Sequence, residues 1–306
     1  MIEVALMIEG QDGLNWPRWK ALAEAAELLG LAGLYRSDHF TNPEGPHKDA
    51  LEAWISFAYL AAETKRIEFG PMVSPVSFRN PVVSAWSAAA VDELSGGRFH
   101  MGLGAGWQER EHNSYGFDLL DLTDRFKRFE EGVQVVKLLL QSDVPVNFDG
   151  QYYHLEDALL LPRPSRAGGP PIVIGGNGEK RTMPLAAKYA DEWNGVFVTP
   201  QRFAELCHHL DGLLEAHGRT PDSMRKTLMH RVTIGATDVD VARKTEGVDV
   251  ANLKERGALI GTPNEVAEGL HAFQEVGVQR LMAQLHDMTD LDGVELLGTR
   301  VLPQLA

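Results

Sequence analysis

The chain has 306 residues, 44% of them hydrophobic and 24% charged, with a formal net charge of −14. That length suits a single α/β barrel as well as two smaller domains, and the acidic excess argues against nucleic acid or an anionic membrane surface as a partner. The single cysteine, Cys207, excludes an internal disulfide and points to a reducing cytoplasm, with no cationic leader at the start and no apolar run near the roughly 18 residues of a membrane span.

Short apolar runs then alternate with amphipathic ones. Glu3–Ile8 reads as a strand. Pro17–Leu29 reads as a helix, its proline suited to the first turn and Gly30 to its end. Leu31–Arg36 is the second strand and runs directly into Ser37-Asp38-His39-Phe40. Helix Asp49–Thr64 leads to strand Ile67–Val73, and helix Pro81–Leu94 to strand Phe99–Leu103; the long helix Leu122–Gln141 follows. Val146–Leu155 reads as a hairpin around Asp149-Gly150. The next stretch, Pro162–Pro171, is too rich in proline and glycine for regular structure. The two together form an insertion between strands four and five.

The rhythm resumes with strand Ile172–Ile174, helix Glu179–Tyr189, strand Trp193–Val198, helix Gln201–His217 and strand Met229–Ile234. Asp238–Gly261 is weakly patterned and expected to be helical. Helix Pro263–Val276, strand Arg280–Leu285 and helix Leu291–Leu302 close the chain. Short, apolar, β-branched strands separated by helices predict a parallel sheet buried on both faces. Eight such units predict one α/β domain over residues 1–306, a closed (β/α)8 TIM barrel with its insertion after strand four.

In such a barrel the carboxyl ends of the strands meet at one mouth, where the chemistry belongs. Strand two ends in Asp38-His39. A histidine near its ordinary pKa exchanges protons at neutrality, and the same residue serves equally well to tie down a loop. Strand three runs into Met72-Val73-Ser74-Pro75, strand four into Gly104-Ala105-Gly106-Trp107, and strand eight into His286-Asp287. Strand five ends in Gly175-Gly176-Asn177-Gly178, with a helix expected from Glu179. Free amides at a helix start attract phosphate, although a plain tight turn has the same composition, and the spacing is not the dinucleotide pattern G-x-G-x-x-G. Glu109, Glu111 and His112 read as a solvated helix start, with Glu109 close enough to the mouth to be a candidate acid. His208-His209 point in different directions on a helix, so no metal site is expected. Nucleophile-elbow, Walker, H-E-x-x-H and C-x-x-C motifs do not occur.

Taken in order, these residues resemble the bacterial-luciferase-like superfamily of flavin and deazaflavin oxidoreductases. The resemblance rests on Ser37 to Phe40, Gly70 to Pro75, Phe78 to Pro81, Leu94 to Arg98, Gly102 to Trp107, Gly150 to Tyr153, Pro171 to Asn177 and Asp191 to Asn194. It covers nearly the whole chain and implies a (β/α)8 barrel that binds FMN or coenzyme F420. Asp-His after strand two resembles the F420-dependent branch, in which Asp38 would be a cofactor ligand and His39 the acid/base residue. Met72, Val73 and Ser74 match a bulge with a non-prolyl cis peptide behind the ring. Gly104, Ala105, Gly106 and Trp107 would lie against the cofactor, and Gly175, Gly176, Asn177, Gly178 and Glu179 match the phosphate-side loop. One departure is Trp107, which stands where some sugar-phosphate dehydrogenases of the branch carry a glutamate.

The resulting expectation is an F420-dependent oxidoreductase acting on a small organic substrate, with His39 and Glu109 as its acid/base candidates. The alternatives are an FMN-dependent two-component monooxygenase and a non-catalytic flavin- or deazaflavin-binding protein. Helices Asp49–Thr64 and Pro81–Leu94 carry more apolar residues than one buried stripe needs, and with the resemblance they predict a homodimer.

Overall fold

Each apolar run becomes one stave of a closed sheet. The strands are β1 Glu3–Ile8, β2 Gly33–Arg36, β3 Glu68–Pro71, β4 Met101–Gly104, β5 Ile172–Gly175, β6 Glu192–Val196, β7 Arg225–Ile234 and β8 Arg280–Leu285. The structure is a computed structural model that describes residues 1–285 and 287–305. His286, half of the polar pair expected after strand eight, lies outside the described residues. Neighbouring strands pair in parallel from β4 through β8 to β1, β2 and β3. Two pairings close the seam between β3 and β4: Phe69 with Phe99, and Ser74-Pro75 with Leu103-Gly104. Closure leaves the ring without an exposed edge.

The helices are α1 Trp16–Leu28, α2 Ala53–Glu63, α3 Pro81–Ser95, α4 Glu109–Tyr115, α5 Leu122–Gln141, α6 Thr182–Tyr189, α7 Pro200–Ala216, α8 Asp238–Lys244, α9 Val250–Glu255, α10 Pro263–Glu275 and α11 Leu291–Leu296. Their starts are written in the sequence. Asn80 caps α3 and Thr199 caps α7, each with proline at the first helical position, and Thr262 and Glu265 form a reciprocal capping box on α10.

Strand alternation separates two cores. Val4, Leu6 and Ile8 face outward into the layer between sheet and helices, where Trp19, Phe57, Phe69, Phe99, Trp193 and Phe203 also pack. Ala5 and Met7 face inward and meet Tyr35, Met72, Val173, Met229 and Met282 inside the barrel. Towards the amino ends of the strands the interior is charged. Arg280 donates to Glu3 at 2.8 Å, to the Tyr35 hydroxyl at 2.6 Å and to Glu68 at 2.5 Å. His100 lies 3.1 Å from Glu68 and 3.5 Å from Glu192. This polar plug seals the end opposite the mouth.

Several expectations need correction. Residues 238–261 do not form one helix: α8 and α9 are followed by a short strand, Leu259–Gly261, beside β7. Gly247 and Gly257, both at positive φ, break the run. Helix α6 begins at Thr182 rather than Glu179, because the glycine turn continues for three more residues. The insertion hairpin pairs Val146–Asp149 with His154–Ala158, so its second arm runs past Leu155. The outer faces of α2 and α3 remain partly uncovered. Ile55, Val83, Trp86 and Leu94 are all exposed, and the last three follow one stripe of α3.

Candidate active site

The loop after β2 is held from several sides. The Ser37 hydroxyl accepts from the Gly10 amide at 2.9 Å and donates to Gln11 at 2.6 Å, which ties the loop to the end of β1. Gln108, just before α4, takes both polar groups of Thr41: its carbonyl accepts from the hydroxyl and its amide donates to the Thr41 carbonyl oxygen. Between these anchors, Glu111 of α4 grips His39. One carboxylate oxygen lies 2.7 Å from His39 Nδ1 and the other accepts from the Phe40 amide at 2.9 Å.

Glu111 is fully buried, so its charge is only weakly screened. Burial pulls the His39 pKa down, but the hydrogen bond and charge of Glu111, with Glu9 and Asp38 behind them, outweigh it. The net shift is upward from the ordinary histidine value. A carboxylate on Nδ1 fixes that nitrogen as the protonated one and leaves Nε2 for chemistry. The expectation of a solvated helix start at Glu111 and His112 is therefore wrong. Both are buried, and His112 links Gln108 to the Ser77 hydroxyl. Glu109 is the exposed member of this turn, and the structure brings Glu111, not Glu109, to His39.

Asp38 is held by protein groups on both of its oxygens. It is buried, and Arg79 donates to its two oxygens at 2.9 and 2.7 Å, with the Ser74 hydroxyl adding a third bond at 2.7 Å. Both Asp38 and Ser74 are thus engaged with protein groups, and neither lines the cavity beside His39. Arg79 also packs over the rings of Phe40 and Phe78, so the Asp-Arg pair stiffens the loop that carries His39.

The cavity beside His39 measures about 200 Å³. Its walls are Met72-Val73, Pro75, Gly104-Ala105-Gly106, Trp107, Phe126, Phe129, Gly175 and Thr182. The Met72–Val73 peptide bond is cis. Gly104 is required where Val73 meets β4, because a Cβ there would approach the Val73 side chain to 2.5 Å. Trp107 meets His39 edge-on at 5.6 Å. Among the described lining residues His39 is the one titratable group, so this is a slot of apolar side-chain and backbone surface, aromatic as well as aliphatic, with a histidine at its edge.

Of the glycine turn after β5, Gly175 lines the slot while the rest continues beyond it. Asn177 exchanges two hydrogen bonds with Val196, and Glu179 is ion-paired with Arg202. A larger cavity of about 1020 Å³ opens beyond the ends of β1, β7 and β8, and Asp287, expected at the mouth after strand eight, is among its lining residues. Its walls are polar and include Glu9, Arg231, Thr233 and Gln284. No sequence motif marks these four residues, because they are scattered over β7, β8 and the end of β1. Among the described residues no cluster of His, Cys, Asp and Glu could hold a metal ion, and no helix is long and apolar enough to cross a membrane.

Fold and site together define a TIM barrel with an apolar, glycine-walled slot and one buried His–Glu couple at its mouth. Residues 5–250 match the family model for luciferase-like monooxygenase, and the chain belongs to that family. An F420-dependent glucose-6-phosphate dehydrogenase from Amycolatopsis mediterranei is 34% identical over 67% of this chain, a match spanning 60% of that relative. A 4-hydroxyprotoasukamycin monooxygenase from Streptomyces nodosus subsp. asukaensis is 30% identical over 96% of this chain and 88% of its own length. Among solved structures, an F420-dependent secondary alcohol dehydrogenase in complex with an F420–acetone adduct superposes with a TM-score of 0.87 at 19% identity. It covers 100% of this chain and 99% of its own, and this likeness establishes the fold.

Proposed function

We propose that this protein is an F420-dependent oxidoreductase that moves hydride between the deazaflavin and a small organic substrate. The observation that carries the reading is the His39–Glu111 couple at the edge of a slot with no other titratable group. A flat heterocycle fits such a slot, since apolar side chains and bare backbone allow close approach over a wide area. Met72-Val73 would form one wall for the ring, and Gly104 to Gly106 with Gly175 would flank it. When bound, the deazaflavin supplies two-electron hydride chemistry, and the protein supplies orientation, shielding and proton management. His39 Nε2 holds the proton that accompanies hydride transfer to the substrate. Glu111 keeps the ring in the right tautomer and stabilises its charged form.

The relative from Amycolatopsis supports the deazaflavin, and the near full-length match to a monooxygenase keeps FMN as a second reading. Equilibrium titration with both cofactors separates them. F420 is expected to bind about tenfold or more tightly than FMN, a difference of about 1.4 kcal/mol. Tighter FMN binding together with oxygen-dependent product formation would replace the first reading with the second.

We infer further that the protein is a homodimer through α2 and α3. Ile55, Val83, Trp86 and Leu94 form an apolar surface on two neighbouring helices. Sedimentation velocity at micromolar concentration should show a dimer, and Trp86→Glu with Val83→Glu should yield monomer. A wild-type monomer at that concentration rules the interface out.

A further inference from the structure

The larger cavity holds an arrangement that the hydride-transfer reading does not use. Along β7, residues 227, 229, 231 and 233 share the inward face. Met229 belongs to the inner core, so Arg231 and Thr233 are the next two inward positions toward the mouth. Both line the larger cavity. Among the described residues neither the Arg231 guanidinium nor the Thr233 hydroxyl has a side-chain or backbone partner.

Most other charges in this cavity are already engaged. Glu9 accepts from Gln11 at 2.8 Å and from Gln284 at 2.7 Å. Lys244 is held by Asp290 at 2.6 Å, and Lys48 lies 3.5 Å from Asp12. Arg18 donates to the Gly13 carbonyl oxygen, and Arg243 is 3.6 Å from Asp240. Asp292 is exposed in the first turn of α11. A partly buried guanidinium left without an acceptor, beside a free hydroxyl, is a donor pair waiting for oxygen atoms. Its planar fork matches two oxygens of a carboxylate or phosphate.

We propose that Arg231 and Thr233 form an anion-recognition site that anchors a carboxylate or phosphate group at the barrel mouth. This deepens the proposed function, and rests on it only for the ligand's source. The group would sit either on the substrate, away from the carbon that exchanges hydride, or on the acidic tail of the cofactor. In the first case the enzyme's substrates are acids or phosphate esters rather than neutral alcohols. The chain's net charge of −14 makes a local cation of this kind necessary for any anionic substrate.

The test uses the full chain and two probes. Isothermal titration with inorganic phosphate should show saturable binding to the wild type that weakens about 10–100-fold in Arg231→Ala. Arg231→Lys keeps the charge without the fork and should lose less, as should Thr233→Val. Circular dichroism and thermal midpoints confirm folding, and Arg231→Gln replaces the alanine variant if that variant is unstable. Fluorescence titration with F420 then assigns the source. Affinity within about twofold of wild type places the anion on the substrate, and a loss of tenfold or more places it on the cofactor tail. Should F420 not bind at all, the phosphate arm still reads the site. Phosphate binding equal in wild type and Arg231→Ala, or absent from the wild type, overturns the proposal.

Discussion

His39→Ala should slow hydride transfer at saturating cofactor by about 10²–10⁴-fold, the range expected when a general acid or base is removed. Cofactor affinity should change far less, because Met72-Val73, Gly104 to Gly106 and Gly175 are untouched. The pH profile carries the more specific evidence. Burial lowers the His39 pKa, yet the hydrogen bond and charge of Glu111 and the charges of Glu9 and Asp38 leave it raised. Under the proposed function, His39 would act as the donor in the direction that reduces substrate. Its rate is then level on the acid side and falls as pH rises through that raised pKa. Glu111→Gln keeps a hydrogen-bonding group but removes the charge, so the falling limb moves to lower pH. A residue that merely anchored the loop would leave the limb in place. Stopped-flow single turnovers across pH 5 to 9 read both effects. Unchanged rates in His39→Ala would make this histidine an anchor and leave proton transfer to solvent.

The sequence made the frame legible because strand burial and helix capping are local. β1 and β8 are bounded as their apolar runs suggest, and α5 lies where its periodicity puts it. The meeting of strand ends was legible to the same degree: His39, Met72-Val73, Gly104 to Trp107 and Gly175 line one slot because a barrel brings every carboxyl end to one face. What escaped was any feature set by pairing across elements. Asp38 and His39 are adjacent, yet they point to different partners, Arg79 in the turn before α3 and Glu111 on α4. In a seven-residue helix such as α4, no period long enough exists to show that Glu111 faces inward and Glu109 outward. Arg231 and Thr233 were invisible for a related reason. The sequence reads as one strand, Met229–Ile234, straight through both, and a polar residue inside a strand shows which face it takes only when the barrel's layers are known.

Arg280→Met should cost about 3–5 kcal/mol of folding stability, the usual effect of removing one member of a buried charge set. Arg280 is buried at the closed end of the barrel and donates to Glu3, Glu68 and Tyr35. Its loss leaves Glu68 near Glu192, with His100 as the cation between them. Arg225 also touches Glu3 and Glu68 and offsets part of the loss, so the lower end of the range is expected.

The sign of the pH dependence follows from the same groups. Burial works against the charged form of Glu68 and Glu192, but His100, Arg280 and Arg225 hold Glu192 below the usual carboxylate range, and His100 and Arg280 do the same for Glu68. Their contribution is present above an unfolded pKa of about 4.3 and is lost as pH falls through the lower folded values. Burial likewise opposes charge on His100, yet Glu192 and Glu68 raise it. Its contribution is complete below an unfolded pKa of about 6.5 and is lost as pH rises through the folded value. This plug is therefore at full strength between about pH 4.3 and 6.5. Urea denaturation from pH 4 to 9 should show wild-type stability declining on the alkaline side, and His100→Gln should flatten that limb. A flat wild-type profile there, or an Arg280→Met loss below about 1 kcal/mol, would mean that water reaches the plug and screens it like an exposed ion pair.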